Sequence, residues 1–225
     1  MPVGESPRDT RHKDDAVTGF IGMMRSAHNG VGYRCNLLYA CRQSDTLNSV
    51  RRSELVTEEE VQTLLAMPGK LVVRPFMWSI ESSGHVPKTS IFESAVQASK
   101  EVLEGVVVRA RFRGPKLIER GLGSFTIPES FACALFVEND RVAALDTNPQ
   151  QSHSNRVGVG RPFYGKTLLN STHRHVWVGE YGYAEPVEPP LMDVVELLKR
   201  FAVECNLTFQ GNIEHPLKGE TGTLL

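Results

Sequence analysis

The sequence predicts an α+β fold, in which an antiparallel sheet of about four strands carries helices packed on one face. Two helical patterns flank a region of strand patterns. Residues 57–67 and 190–205 place apolar side chains at helical spacing, whereas 105–113 and 130–148 contain the alternating or continuous apolar runs of strands. This order indicates a meander that helices cover on one side.

The first helix is predicted at 57–67. Thr57 can cap its N-terminus, and Glu60, three residues later, completes a capping box. Acidic residues in the first turn also favour the positive end of the helix dipole. Pro68-Gly69 ends the helix. The side chains expected to face the core are Val61, Leu64 and Leu65.

The stretch after this helix is less clear. Residues 70–80 alternate loosely as an extended segment that Pro75 interrupts, and 82–87 have the composition of a loop. Residues 91–103 fit either a helix or a strand, and the sequence leaves that choice open.

Strand patterns become clear after Gly105. Residues 130–148 have the pattern of a hairpin that turns at Asn139-Asp140. Alternation in 105–113 places Arg109, Arg111 and Arg113 on one face of a strand and Val108, Ala110 and Phe112 on the other. The last helix, 190–205, then buries one stripe, which comprises Leu191, Val194, Val195, Leu198, Ala202 and Cys205.

Composition limits the broad class of protein. The chain has 225 residues, a formal net charge of -1 and 40% hydrophobic residues, values typical of a globular domain with its own core. Near-neutral charge argues against a protein coated with nucleic acid but allows a local basic patch. We found no secretory or membrane-spanning apolar run, so we expect a cytoplasmic protein that does not enter a membrane. The four cysteines form no CxxC pair, so we expect reduced thiols.

Three segments are predicted. Residues 1–52 form a poorly ordered N-terminal extension, because their first part is polar and lacks an apolar period. Residues 53–213 form the α+β domain, and 214–225 form a flexible tail.

The strongest candidate for function is a basic segment, residues 147–179, which contains no acidic residue. Its last part, 173–178, favours a strand, and alternation places His173, His175 and Trp177 on one face of that strand. The segment also contains His153, Arg156, Arg161, Lys166 and Arg174.

Acid–base cleavage of a phosphodiester is the chemistry that this set predicts. Histidine, with a pKa of about 6.5, can give and take protons at neutral pH. Metal-independent RNA cleavage needs one group to accept the 2′-OH proton and another to protonate the leaving oxygen, beside fixed positive charge. We therefore expect catalytic roles for His153, His173 and His175, and no cofactor. The expected substrate-binding residues are Arg156, Arg174, Lys166, Arg111 and Trp177.

Two alternatives stay open for these residues. His173 and His175, with Asp146 or His153, could bind a divalent metal such as zinc or iron, although the surrounding cations disfavour an ion. The histidines and the arginine row could instead be solvated surface side chains with no chemical role.

Several short motifs resemble a family of small bacterial proteins of unknown function. The resemblance spans residues 55–213, and it departs from the family where Arg156 follows Asn155. It implies the fold of the domain and the choice of site, and it implies no reaction. The positions that carry it are Asp146, His153, Asn155, His173, His175, Cys205 and Asn206.

The sequence thus predicts an endoribonuclease-like, metal-independent protein of the toxin or phage-defence type. RNA or DNA would be its substrate, and an antitoxin could be its protein partner. The second hypothesis is a non-catalytic module that binds nucleic acid or protein in a bacterial defence or mobile-element system.

Overall fold

Two helices and thirteen strands make up the described part of the chain. The computed structural model describes residues 56–82, 86–121, 123–169 and 172–218, all within the unit Cys35–Leu225. The helices are α1 (Glu58–Ala66) and α2 (Val194–Glu204). The strands are β1 (Lys70–Pro75), β2 (Ser79–Ile80), β3 (Thr89–Ala98), β4 (Glu101–Arg113), β5 (Lys116–Arg120), β6 (Gly123–Ile127), β7 (Ser130–Val137), β8 (Asp140–Thr147), β9 (His153–Ser154), β10 (Thr167–Leu168), β11 (Thr172–Val176), β12 (Ala184–Pro186) and β13 (Leu207–Gln210).

A mixed sheet of nine strands dominates the fold. Eight of its strands lie in the order β12-β11-β8-β7-β4-β3-β1-β13, and β2 pairs with β3. Neighbouring strands are antiparallel except β1 and β13, which are parallel. Two small ribbons, β5-β6 and β9-β10, stand apart from this sheet.

The predicted α+β fold with about four strands is therefore wrong, because the described chain is mostly β. The long strands β3 and β4 account for much of the difference. Residues 91–103 were compatible with a helix or a strand, and they form the end of β3 and the start of β4. Four further strands, β2, β9, β10 and β12, have only two or three residues, too few to produce an apolar period.

Helix α1 follows its sequence pattern closely. The Thr57 side chain accepts a hydrogen bond from the Glu60 backbone, and the Glu60 carboxylate accepts one from the Thr57 backbone, so the predicted capping box is confirmed. Lys70, at the start of β1, then donates from Nζ to carbonyl groups at the C-terminal end of the helix, including that of Leu64 at 2.7 Å. Carbonyls in the last turn lack the usual donor four residues further along the chain, so the ammonium group helps to complete the C-terminus of the helix.

Helix α2 begins later than predicted. Asp193 caps it by accepting hydrogen bonds from the Val195 and Glu196 backbones, and residues 190–193 are not helical. Leu191 belongs instead to a loop held to β11, since its backbone nitrogen donates to Thr172 Oγ1 over 2.8 Å.

One face of the sheet, which we call the helix face, packs against the hydrophobic core. That core includes Val61 of α1, Leu197 and Phe201 of α2 and Leu135 of β7. The two helices thus share a core. The opposite face carries Asp146, His173 and His175, and we call it the histidine face.

The predicted N-terminal extension, 1–52, lies outside the described residues, as do 219–225 of the predicted tail. The first residues of that tail are in contact with the domain. The Trp78 indole donates to the Glu214 carbonyl over 2.9 Å, and Leu217 packs against the core.

Candidate functional site

The side chains of His153, His173 and His175 meet on the histidine face. Their ring centroids are 4.9 to 5.1 Å apart, so the rings form a nearly equilateral triangle. A nitrogen of each ring lies within 4.8 Å of a nitrogen of each other ring. The segment that contains His153 therefore meets the strand that contains His173 and His175, a contact that the sequence alone could not establish. We call these three residues the histidine cluster.

His153 is held in place by the β9-β10 ribbon. It pairs with Leu168 in that ribbon, and its Nε2 lies 2.9 Å from the carbonyl oxygen of Gly182. A carbonyl oxygen can only accept, so Nε2 of His153 carries the hydrogen. His153 is half-buried, whereas the other two rings are buried.

His173 and His175 are positioned by β11, which lies between β8 and β12. His173 is opposite Asp146 of β8, and His175 is opposite Ala144. Because alternate residues of a strand share a face, both imidazoles lie on the side of Asp146. Their exposed fractions are only 7% and 3%.

A hydrogen-bonded network of Asp146, Arg141 and Tyr181 contacts the histidine cluster. Asp146 Oδ2 lies 3.0 Å from His175 Nε2 and 3.9 Å from His173 Nε2. Asp146 Oδ1 pairs with Arg141, and Arg141 also donates to the Tyr181 hydroxyl over 2.8 Å. The Tyr181 ring in turn stacks on His175, with centroids 5.1 Å apart.

These contacts set the charges of the network. Burial would raise the pKa of Asp146, but the hydrogen bond from His175 and the charge of Arg141 lower this pKa to about 2. Burial lowers the pKa of His175, and the bond to Asp146 offsets this only in part. At neutral pH, Asp146 is therefore ionised and His175 is neutral.

The loop after His153 is closed by Asn155. The buried Asn155 amide donates to the Phe163 and Ala184 carbonyls and accepts from the Ala184 backbone, each within 3.0 Å. Gly158 lies against the buried ring of Tyr183: a Cβ at this position would come within 2.7 Å of that ring, and its φ is +80°. Asn155 and Gly158 therefore fix the path of the loop that follows His153, and Asn155 holds the start of this loop against β12.

Two of the predicted substrate-binding residues lie away from the histidine cluster. Arg174 lies on the helix face of β11, where it binds Glu204 of α2 with two hydrogen bonds. Trp177 was predicted on the face of the histidines, but β11 ends at Val176 and breaks the alternation. Its indole is 3% exposed in the core and donates to the Val56 carbonyl, so it cannot stack on a base.

The other predicted binding residues are exposed. Arg111 is on the histidine face, three strands from His173, and forms an ion pair with Glu81. Arg156 and Lys166 lie in the loop after His153 and form no ion pair with the part of the chain that the structure describes, and Lys166 lies over the Phe163 ring.

Sequence reasoning missed Arg141, Tyr181 and the Gly182 carbonyl. The one available indication for Arg141 was its position directly before the apolar run 142–145. Tyr181 and Gly182 fall in a glycine-rich loop without periodicity, so no pattern connects them with His175.

Two surface depressions lie away from the histidine cluster. One, of about 550 Å³, is lined by Lys199, His215 and Lys218 together with residues 211–214. Another, of about 380 Å³, lies between α2 and residues 187–191. None of the three clustered histidines lines either one, and the low exposure of His173 and His175 restricts access to the histidine cluster.

Comparisons of the chain with known protein families, curated proteins and solved structures found no match. The resemblance to a family of small bacterial proteins therefore stays a prediction. Among the described residues, no helix has the length and apolar character needed to cross a bilayer.

Proposed function

We propose that the histidine face is the site of a phosphodiester-cleaving enzyme that acts on single-stranded nucleic acid. The observation that carries this proposal is that the histidine cluster and the predicted arginine row share one sheet face, in register. Neither element alone would indicate this substrate, because histidines and exposed arginines each occur commonly without a ligand.

The register links the two elements strand by strand. His173 is opposite Asp146, Asp146 is opposite Ala132, and Ala132 is opposite Arg111. A second row connects His175 with Arg109 through Ala144 and Ala134. Three strand spacings separate β11 from β4, a distance of about 14 Å. Short alanine side chains cover much of the sheet surface between β11 and β4.

The arginines offer positive charge to a phosphate backbone. Arg109 and Arg111 pair with Glu93 and Glu81, but their side chains are 50% and 61% exposed. Exposed pairs contribute little free energy, so these arginines can exchange partners with phosphate. Arg113 forms no ion pair with any described residue. Phosphate contacts of this kind orient a strand without reading its sequence.

A single strand fits this face better than a duplex. His173 and His175 are buried and His153 is half-buried, so a reacting phosphate must enter beside His153. A flexible single strand can bend one phosphodiester towards the cluster, whereas a stiff duplex cannot. Cleavage then requires a proton acceptor for the attacking oxygen and a proton donor for the leaving oxygen.

The second candidate is a binding module without catalysis. The low exposure of His173 and His175 favours it, because buried imidazoles can serve packing alone. This candidate uses the same arginine row and predicts binding of nucleic acid without cleavage.

The test is cleavage of end-labelled single-stranded RNA and DNA by the purified full-length protein. We expect cleavage by the wild type and a loss of about 100-fold or more in the His153→Ala variant, the usual scale for a group that takes part in proton transfer or holds the reacting centre. His215→Ala is the matched control, because His215 contacts Phe112 and lies outside the histidine cluster.

Binding is measured on the same samples by fluorescence anisotropy. Cleavage that His153→Ala leaves unchanged would overturn the proposal. Binding with steep salt dependence and no cleavage by the wild type would select the binding module instead.

A further inference from the structure

We propose that His153, His173 and His175 together bind one divalent transition-metal ion of the zinc class. The ion would be the cofactor of the site proposed for phosphodiester cleavage. Only its catalytic role rests on that proposed function. Metal binding itself can be measured without a cleavage assay.

The spacing of the three rings fits a mononuclear centre. One nitrogen from each histidine lies within 4.8 Å of the others. Zinc binds histidine nitrogen at about 2.0–2.1 Å, which places tetrahedral donor atoms about 3.3 Å apart. An inward shift of about 1 Å or less for each ring closes the difference. His153 can supply part of this shift, because it is on a two-residue strand of a small ribbon.

His175 provides the most specific observation. Its Nε2 is engaged by Asp146, and its Nδ1 is buried with no hydrogen-bond partner. The Asp146 carboxylate, which is paired with Arg141 through its other oxygen, accepts from Nε2, so the hydrogen of His175 is on Nε2 and the lone pair is on Nδ1. A buried polar atom without a partner destabilises the folded state, so such atoms are rare in proteins unless a ligand uses them. A metal ion would use this lone pair.

His153 has the same arrangement of its two nitrogens. The Gly182 carbonyl accepts the hydrogen of Nε2, which leaves the lone pair on Nδ1. No hydrogen bond from a described residue occupies that Nδ1. Histidine ligands of metals nearly always donate their other ring nitrogen to a carboxylate or a backbone carbonyl, which fixes the tautomer and the orientation. Asp146 and Gly182 supply one partner of each kind.

The charges around the cluster also permit an ion. The sequence placed several cations near the histidines, and their repulsion counted against a metal. In the structure, Arg141 is neutralised by Asp146, and Arg174 lies on the helix face with Glu204. Arg161, another cation of the basic segment, pairs with Glu58 of α1.

The donor set selects the class of ion. Neutral imidazole suits zinc, copper, nickel and iron, whereas magnesium and calcium prefer oxygen. Asp146, which the sequence suggested as a ligand, uses its two oxygens for Arg141 and His175, so we assign it a positioning role. Three protein ligands would leave one coordination position for water. An ion of this kind would lower the pKa of that water and so provide a nucleophile at neutral pH.

The experiment uses the full-length chain without an affinity tag, because a polyhistidine tag would itself bind metal. The protein is stripped with a chelator and titrated with Zn²⁺, and the bound metal is measured by elemental analysis after gel filtration. Thermal unfolding is followed in parallel, since an ion that binds only the folded state raises Tm. Mg²⁺ is the comparison ion.

We expect one equivalent of tightly bound Zn²⁺, a raised Tm and no response to Mg²⁺. His153→Ala should weaken Zn²⁺ binding by at least 100-fold, and this residue is chosen because it is half-buried, so its loss disturbs folding least. Asp146→Asn should weaken binding by about 10- to 100-fold, the range for residues that hold a metal-binding histidine. His215→Ala should bind as the wild type does.

Substoichiometric binding by the wild type, or equal binding by wild type and His153→Ala, would overturn the metal site. The two proposals fail separately. Cleavage that resists the chelator and needs no bound metal would support the enzyme and overturn the metal site. Stoichiometric metal binding without cleavage would support the metal site and overturn the enzyme.

Discussion

Asp146 accepts a hydrogen bond from His175 over 3.0 Å and pairs with Arg141 through its other oxygen. Asp146 and Arg141 are each about 20% or less exposed in their side chains. Replacing Asp146 by Asn removes the counter-charge of Arg141. We expect the free energy of unfolding to fall by about 3 kcal/mol, the lower end for a buried ion pair.

Urea denaturation monitored by tryptophan fluorescence measures this loss. Glu93→Gln is the control, because it removes the partner of the exposed Arg109 and should cost under about 1 kcal/mol. Equal effects of the two substitutions would show that Arg141 does not depend on Asp146.

Lys70 should contribute to stability through the end of α1. It is fully buried, and its ammonium group donates to carbonyls of Leu64, Leu65 and Met67. Lys70→Met keeps the volume and removes the ammonium donor that these three carbonyls share, which should cost about 2–4 kcal/mol.

The measurement is again urea denaturation, with Lys116→Met on the exposed β5 as control. A Lys70→Met protein as stable as the wild type would mean that water replaces the three hydrogen bonds at no cost.

Two apolar residues of α2 provide a test of its packing. Leu197 is fully buried against the sheet, whereas Val203 is 76% exposed. Leu197→Ala should lower the free energy of unfolding by about 2–5 kcal/mol. Val203→Ala should change it by no more than about 0.5 kcal/mol, because the substitution is on the surface. Similar losses for both would place α2 in a different orientation.

Stability in acid should depend on Glu204, which joins β11 to α2. Burial would raise its pKa, but hydrogen bonds and charges from Arg174 and Arg200 lower the pKa below the ordinary value of 4.5. In the unfolded chain Glu204 therefore binds a proton more readily. Its contribution is present above pH 4.5 and is lost as the pH falls through the folded-state pKa.

Glu204→Gln should consequently show a flatter decline of unfolding free energy than the wild type as the pH falls below 4.5. Glu104→Gln, at an exposed position of β4 without a described ion pair, should keep the slope of the wild type. An unchanged slope in Glu204→Gln would contradict the lowered pKa.

The strongest local patterns predicted their elements well. The capping box of α1, the hairpin of β7 and β8, and the alternation of β4 depend on neighbouring residues, and a single sequence contains that information. Val108, Ala110 and Phe112 are buried and Arg109, Arg111 and Arg113 are exposed, as the alternation predicted. The number of strands was wrong because short strands such as β12 are defined by their partners in the sheet, and their own residues show no period.

The candidate site was predicted in part for the same reason. Alternation placed His173 and His175 on one face, and local sequence could do no more. The approach of His153 depends on the Gly182 carbonyl, 29 residues away, and the support from Arg141 depends on pairing across the sheet. Trp177 was misplaced because β11 ends two residues earlier than the predicted strand, 173–178.

X-ray absorption spectroscopy at the metal edge tests the histidine cluster most directly. The sample is the untagged protein reconstituted with one equivalent of Zn²⁺. We predict about three imidazole nitrogens at about 2.0–2.1 Å and no sulfur ligand from the described residues, whose two cysteines, Cys133 and Cys205, are buried and lie outside the histidine cluster. The spectrum of His153→Ala should lose one imidazole. A zinc–sulfur distance of about 2.3 Å, or a wild-type spectrum with one imidazole or none, would contradict a metal centre at His153, His173 and His175.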